Sequence, residues 1–346
     1  MIELRHGDAR LTLDPGPGNI PLWQVLGRDV LHRAPWRDEP EMQALESLAV
    51  CEKRLAGDFF CLPFCADDVA GGPLHGASAT GPWEVVSQDV SRAALYLRNE
   101  LYNVDITKEI SVLDQVLYSS HTLDGGAGEV SLAHHPMARM QAGGTLSFSP
   151  KRAVLTDPKP QYEGRNLWAL GQIRPDLSLA CEDGSQWDLR RYPAAHTVED
   201  FAILVEARGA RLGWTVLMRE AEDDMLVVLK DARQLPVTML WISNGGRDFA
   251  PWNGRHTGVI GIEDGIAAGA TGLSYSQGEN PLRAMEVPTT LTLGPRHVIR
   301  HAMISLPRPP GWSEVVAIEE GRDTLTLRDI SGRDLSVPFD TGFFPA

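Results

Sequence analysis

Val104-Asp105-Ile106-Thr107-Lys108-Glu109-Ile110-Ser111-Val112 is the stretch on which the fold turns. Val104, Ile106, Ile110 and Val112 fall on one side of a period-two pattern. Asp105, Thr107, Glu109 and Ser111 fall on the other, and Lys108 is the single break. A helix would scatter these residues around its axis, whereas a strand sends alternate side chains to opposite faces, so the pattern predicts a strand with one wet face. Similar runs recur as AALYLRNELY from Ala93, WTVLMRE from Trp214, MLVVLK from Met225, VTMLWIS from Val237, TTLTL from Thr289 and HVIRHAMISL from His297. Turn residues separate them at Gly125-Gly126, Glu182-Asp183-Gly184-Ser185, Asn244-Gly245-Gly246 and Gly294-Pro295. Near the end, TLTLRDISGRDLSVPF reads as a hairpin about Ser331-Gly332. Helix candidates are short, at Glu39 to Glu52 and Gly311 to Glu320. Many turn-bounded strands with few helices predict an all-β fold, a large antiparallel β-sandwich.

The 346 residues, 43% hydrophobic and 23% charged, suffice for a sizeable core and exclude a disordered, collagen-like or coiled-coil chain. Length alone suggests about two domains, but sandwiches run long, and residues 1–346 are taken as a single domain. A net charge of -14, with no Lys/Arg cluster, repels polyphosphate and argues against a nucleic-acid partner. No apolar run reaches the length of a membrane span, and the N-terminus lacks the pattern of a signal peptide, so a soluble, cytoplasmic protein is expected. Cys51, Cys61, Cys65 and Cys181 fit buried thiols of a reducing compartment better than a disulfide or a metal site. Gly16-Pro17-Gly18 is a turn, because Pro21 stands where a dinucleotide fingerprint needs its third glycine. Phosphate-loop, GxSxG and HExxH signatures are absent from the sequence.

Three remote segments carry the remaining signal: GDFFCLPFCADDVAGGPLHGASATGPWEV from Gly57, LAHHPMARM from Leu132, and PWNGRHTGVIGIEDG from Pro251. Their order and spacing over about residues 50 to 310 resemble the aldose 1-epimerase (galactose mutarotase-like) superfamily. That superfamily has a Pro-Phe-rich strand leading to a Leu-His-Gly turn and a later Trp, a mid-chain His-Pro pair, and a late Ile-Glu strand. The closing TLTLGPRHVIRHAMISL is similar to its final strands. The resemblance implies a sandwich that interconverts sugar anomers, with a small-molecule sugar as its partner.

Such chemistry removes a proton from the anomeric hydroxyl and delivers one to the ring oxygen, so a base and an acid must flank the pyranose. A carboxylate ionised near neutrality and a protonated imidazole suffice, with no metal and no organic cofactor. Glu263 is the implied base, with Asp264 standing where the family often has Pro and remaining a rival. His135, before Pro136, is the implied acid, with His134 its rival; on a strand only one of the two can face a cleft. Met137-Ala138-Arg139 replace the aromatic residues usual after His-Pro. The resemblance further implies substrate contacts at His75, Arg54 and Asp200, with Glu199 the alternative to Asp200. Trp252, in a loop between Pro251 and Asn253-Gly254, is the indole best placed to cover a sugar face. Arg54, Arg139 and Arg255 could form a local anion site. Two other functions fit the same fold: a non-catalytic carbohydrate-binding protein, or a glycoside hydrolase or lyase using Glu263 with Asp200.

Overall fold

The computed structural model describes residues 1–345. Strand exceeds helix by about 49% to 6%, and the architecture is the expected antiparallel β-sandwich. Two eight-stranded sheets form it. The first has Val198–Glu206, Val237–Asn244 and Val259–Ile266 at its centre, extended by the short strands Leu132–His134 and Phe60–Cys61. The second runs from Gly144–Phe148 through Leu212–Arg219, Asp224–Asp231, Leu291–Pro307, Val116–Val130 and Val104–Leu113 to Arg92–Asn99 and Glu84–Gln88. A four-stranded N-terminal sheet and a three-stranded sheet over Val315–Pro338 pack outside them.

The three central strands of the first sheet are buried on both faces, and period-two alternation sorts their side chains. Ala202, Leu204, Leu240, Ile242, Ile260 and Ile262 point into the layer between the sheets. Phe201, Ile203, Val237, Met239, Trp241 and Val259 point outward and are roofed by irregular chain that carries Trp36, Phe59, Phe64 and Leu282. The candidate functional cleft forms in that outer layer.

The break at Lys108 has a structural reason. Lys108 lies on the buried face with Val104 and Ile106, bonds its Nζ to the Gly18 carbonyl, and sits 4.9 Å from the Trp83 ring centroid. Burial pulls its pKa down to about 8, with Asp58 opposing the shift. Two expected turns are instead strand interior: Gly125-Gly126 and Gly294-Pro295 pair across Val116–Val130 and Leu291–Pro307 at a register shift, where a bulge takes up the extra residues. The Glu39 to Glu52 helix is reduced to two single turns, Pro40–Gln43 and Val50–Lys53. Gly311 to Glu320 is not helical, because Val315–Glu320 pairs with Thr324–Asp329. All four cysteines are free thiols.

Candidate active site

A cleft of about 130 Å³ opens in the outer layer of the first sheet. Glu263 reaches it because Val259 and Glu263 share the outward face of their strand, while Asp264 alternates inward. His135 arrives from the neighbouring segment, where Met137–Arg139 pairs with the start of the Glu263 strand and the Ile262 N–H donates to the Pro136 carbonyl at 2.8 Å. The His135 backbone N–H donates to the Phe59 carbonyl and to Asp58 Oδ1, each at 3.0 Å. Its ring stacks on Phe59 at 4.5 Å between centroids. Held so, His135 Nε2 lies 3.1 Å from Glu263 Oε1, and the two side chains are 5% and 2% exposed.

Burial sets the protonation of this pair. Desolvation, reinforced by Asp157, pushes the Glu263 carboxyl well above the usual carboxylate range, with Arg247 opposing. Desolvation also pulls His135 down to about 4. The sequence-based premise of an ionised Glu263 and a protonated His135 is therefore reversed: the carboxyl is the favoured holder of the proton and the imidazole is neutral. Glu263 Oε2 and His135 Nδ1 are buried with no hydrogen-bond partner, so the cleft retains unspent polar capacity.

His75 completes the wall. It sits in a left-handed conformation (φ 59°) followed by Gly76 (φ 76°), a turn that brings its ring edge-on to His135 at 5.3 Å. Its Nδ1 accepts the Cys65 N–H at 3.2 Å, which leaves the ring proton on Nε2. Burial keeps this imidazole well below its ordinary pKa, hence neutral. Trp252 and Trp241 form an indole wall beside the pair.

No family profile and no curated protein sequence matches the chain. Solved structures do. A protein of Escherichia coli K12 described as a candidate aldose 1-epimerase superposes with a TM-score of 0.61 at 13% identity, covering 88% of this chain and 98% of that one. The chain has the galactose mutarotase-like fold. A galactose mutarotase related enzyme from Lactobacillus acidophilus gives a TM-score of 0.58 at 10% identity, over 89% of this chain and 98% of its own. A galactose mutarotase-like protein from Lactobacillus casei gives 0.55 at 12%, over 88% and 99%.

On this mutarotase-like scaffold Glu263, His135, His75 and Trp252 share one cleft. Five other sequence candidates lie elsewhere, and each is a correction. His134 points into the inter-sheet layer, where Nδ1 lies 3.3 Å from Asp58 Oδ2 and the ring stacks 4.4 Å from that of His301. Asp264 lies in the same layer, bound by His301 Nε2 at 3.0 Å, Lys230 Nζ at 2.9 Å and the Thr238 hydroxyl at 2.7 Å. Asp200 also faces inward, accepting the Leu167 and Trp168 N–H groups at 2.6 and 3.0 Å. Arg54 is drawn away by Asp14, 2.6 Å distant, and Arg255 by Glu39.

Sequence reasoning missed Arg247, Glu52 and Asp157, and ranked Trp241 behind Trp252. Arg247, Trp241 and Glu52 line the cleft. Asp157 lies beside it, accepting the Ala270 N–H at 3.0 Å, with burial pushing its carboxyl up to about 7. Arg247 follows the Asn244-Gly245-Gly246 turn at a strand end, which is the one local signal that marked it.

Proposed function

We propose that the protein is a cofactor-independent sugar mutarotase in which Glu263 and His135 exchange protons with a bound aldose. One observation carries this: a carboxyl group and an imidazole 3.1 Å apart, with a second neutral imidazole edge-on to them, all in one small buried cleft. Ring opening starts from the ion-pair form, Glu263 taking the anomeric hydroxyl proton while His135 gives its own to the ring oxygen. The C1–O5 bond breaks, the aldehyde turns about C1–C2, and closure from the other face returns both protons. Each group thus donates once and accepts once per turnover. His75, protonated on Nε2 and otherwise neutral, is suited to donate to a sugar oxygen, and the Trp252 indole to cover the apolar sugar face.

A hydrolase built on Glu263 with Asp200 is disfavoured, since Asp200 is bound by backbone amides on the opposite face of the sheet. NMR exchange between anomeric protons across a panel of aldoses tests the proposal. Acceleration above the buffer rate for at least one sugar is expected, and no acceleration for any would overturn it in favour of binding alone.

A further inference from the structure

Arg247 is the one permanent cation lining the cleft. Its guanidinium carbon lies 4.4 Å from the Trp252 ring centroid and 5.4 Å from that of Trp241, so two indoles fix the plane of the fork. Its Nε is 3.3 Å from Glu199 Oε2. Glu199 is fully buried and accepts the Trp241 Nε1–H at 3.2 Å and the Ser243 hydroxyl at 2.6 Å. The Ser243 oxygen in turn takes His256 Nδ1–H at 2.7 Å. The two terminal guanidinium nitrogens have no hydrogen-bond partner among the described residues. A planar fork of donors, held rigid from behind and unpaired in front, is suited to two neighbouring oxygens.

We propose that Arg247 is the substrate clamp of this cleft, gripping two adjacent hydroxyl oxygens of an uncharged aldose, and that Glu199 is the positioning residue that aims it. This rests on the sugar-binding reading above and adds the substrate class. Charge decides for an uncharged sugar. The Arg247 charge is already balanced by Glu199, and Glu52 lines the same cleft, so a sugar carboxylate or phosphate would enter a desolvated site with no uncompensated cation to receive it. A ligand lacking one of the two hydroxyls leaves an Arg247 donor buried and unpaired, which gives the cleft its discrimination.

The test uses 1-deoxyaldoses, which bind but cannot open, titrated calorimetrically or by NMR. Arg247→Met is expected to weaken binding by roughly 10- to 100-fold, the scale of a lost hydrogen bond to a charged group. Arg247→Lys, which keeps the charge without the fork, should weaken it nearly as much. For an analogue lacking one of the gripped hydroxyls, Arg247→Met should change little. Glu199→Gln should weaken binding several-fold and leave the pH profile of any turnover unmoved. The matching uronate or 6-phosphate should bind less tightly than the neutral sugar. Unchanged binding in both Arg247 variants would overturn the clamp, and unchanged binding in Glu199→Gln would overturn the positioning role. Tighter binding of the anionic sugar, lost in Arg247→Met, would overturn the uncharged class. Binding without anomer exchange would sink the acid–base proposal while leaving the clamp standing.

Discussion

His135 Nε2 and Glu263 Oε1, carried by segments more than a hundred residues apart in sequence, lie 3.1 Å from each other in a buried cleft. Desolvation disfavours both charged forms, so the pair holds one proton over a wide pH range. His135 stays neutral down to about pH 4, and Glu263 keeps its proton well above the usual carboxylate range. Activity should therefore fall on the acid side only near pH 4, as the pair gains a second proton, and on the alkaline side well above the usual carboxylate range, as it loses its only one. A pH profile of kcat/KM checks this, and an acid limb at the ordinary histidine value near ~6.5 would contradict the burial argument.

Behind the catalytic candidates, the inter-sheet layer carries a polar seam. Asp58, Asp264 and Glu206 face Lys108, Lys151 and Lys230, so three acids meet three bases, and burial holds His121 and His134 between them below the ordinary imidazole pKa. Although burial opposes it, Lys230 and His301 hold Asp264 well below the usual carboxylate range. Asp264→Asn would remove one of the two carboxylates that balance the buried Lys230 charge, leaving Glu206 at 3.1 Å. Denaturant unfolding should register a loss on the order of 3 kcal/mol, relieved in the double variant with Lys230→Met. An unchanged unfolding midpoint in Asp264→Asn would show the seam to be energetically idle.

Gly76 fixes the His75 turn. A Cβ built there would lie 1.8 Å from the Leu62 carbonyl oxygen, at a backbone φ of +76° that disfavours side chains. Gly76→Ala should lower stability by about 2 kcal/mol or more and weaken sugar binding by displacing His75. Thermal unfolding and ligand titration together check this, and a wild-type result in both would remove the turn from the account.

The fold was legible because alternation is local: a period of two along Val104 to Val112 or Val237 to Ser243 needs no knowledge of distant residues. The same alternation separates His135 from His134 and Glu263 from Asp264, but it does not say which parity faces the cleft. That parity is set by which face of the sheet the roof covers, a tertiary fact. Arg54 and Asp200 were misplaced for a related reason, since their partners, Asp14 and the Leu167–Trp168 amides, are remote in sequence and win the side chain by hydrogen bonding. Lys108 shows the converse. A lone break in an otherwise regular strand marked a buried polar seam that no motif announced.

The central claim is most directly tested by saturation transfer between the two anomeric C1 proton resonances of an aldose at equilibrium. Wild-type protein should transfer saturation well above the buffer rate, and Glu263→Gln and His135→Asn, each folded by circular dichroism, should each reduce that rate by roughly 10²-fold or more. Transfer by Glu263→Gln at the wild-type rate would contradict the assignment of this pair as the proton-handling groups.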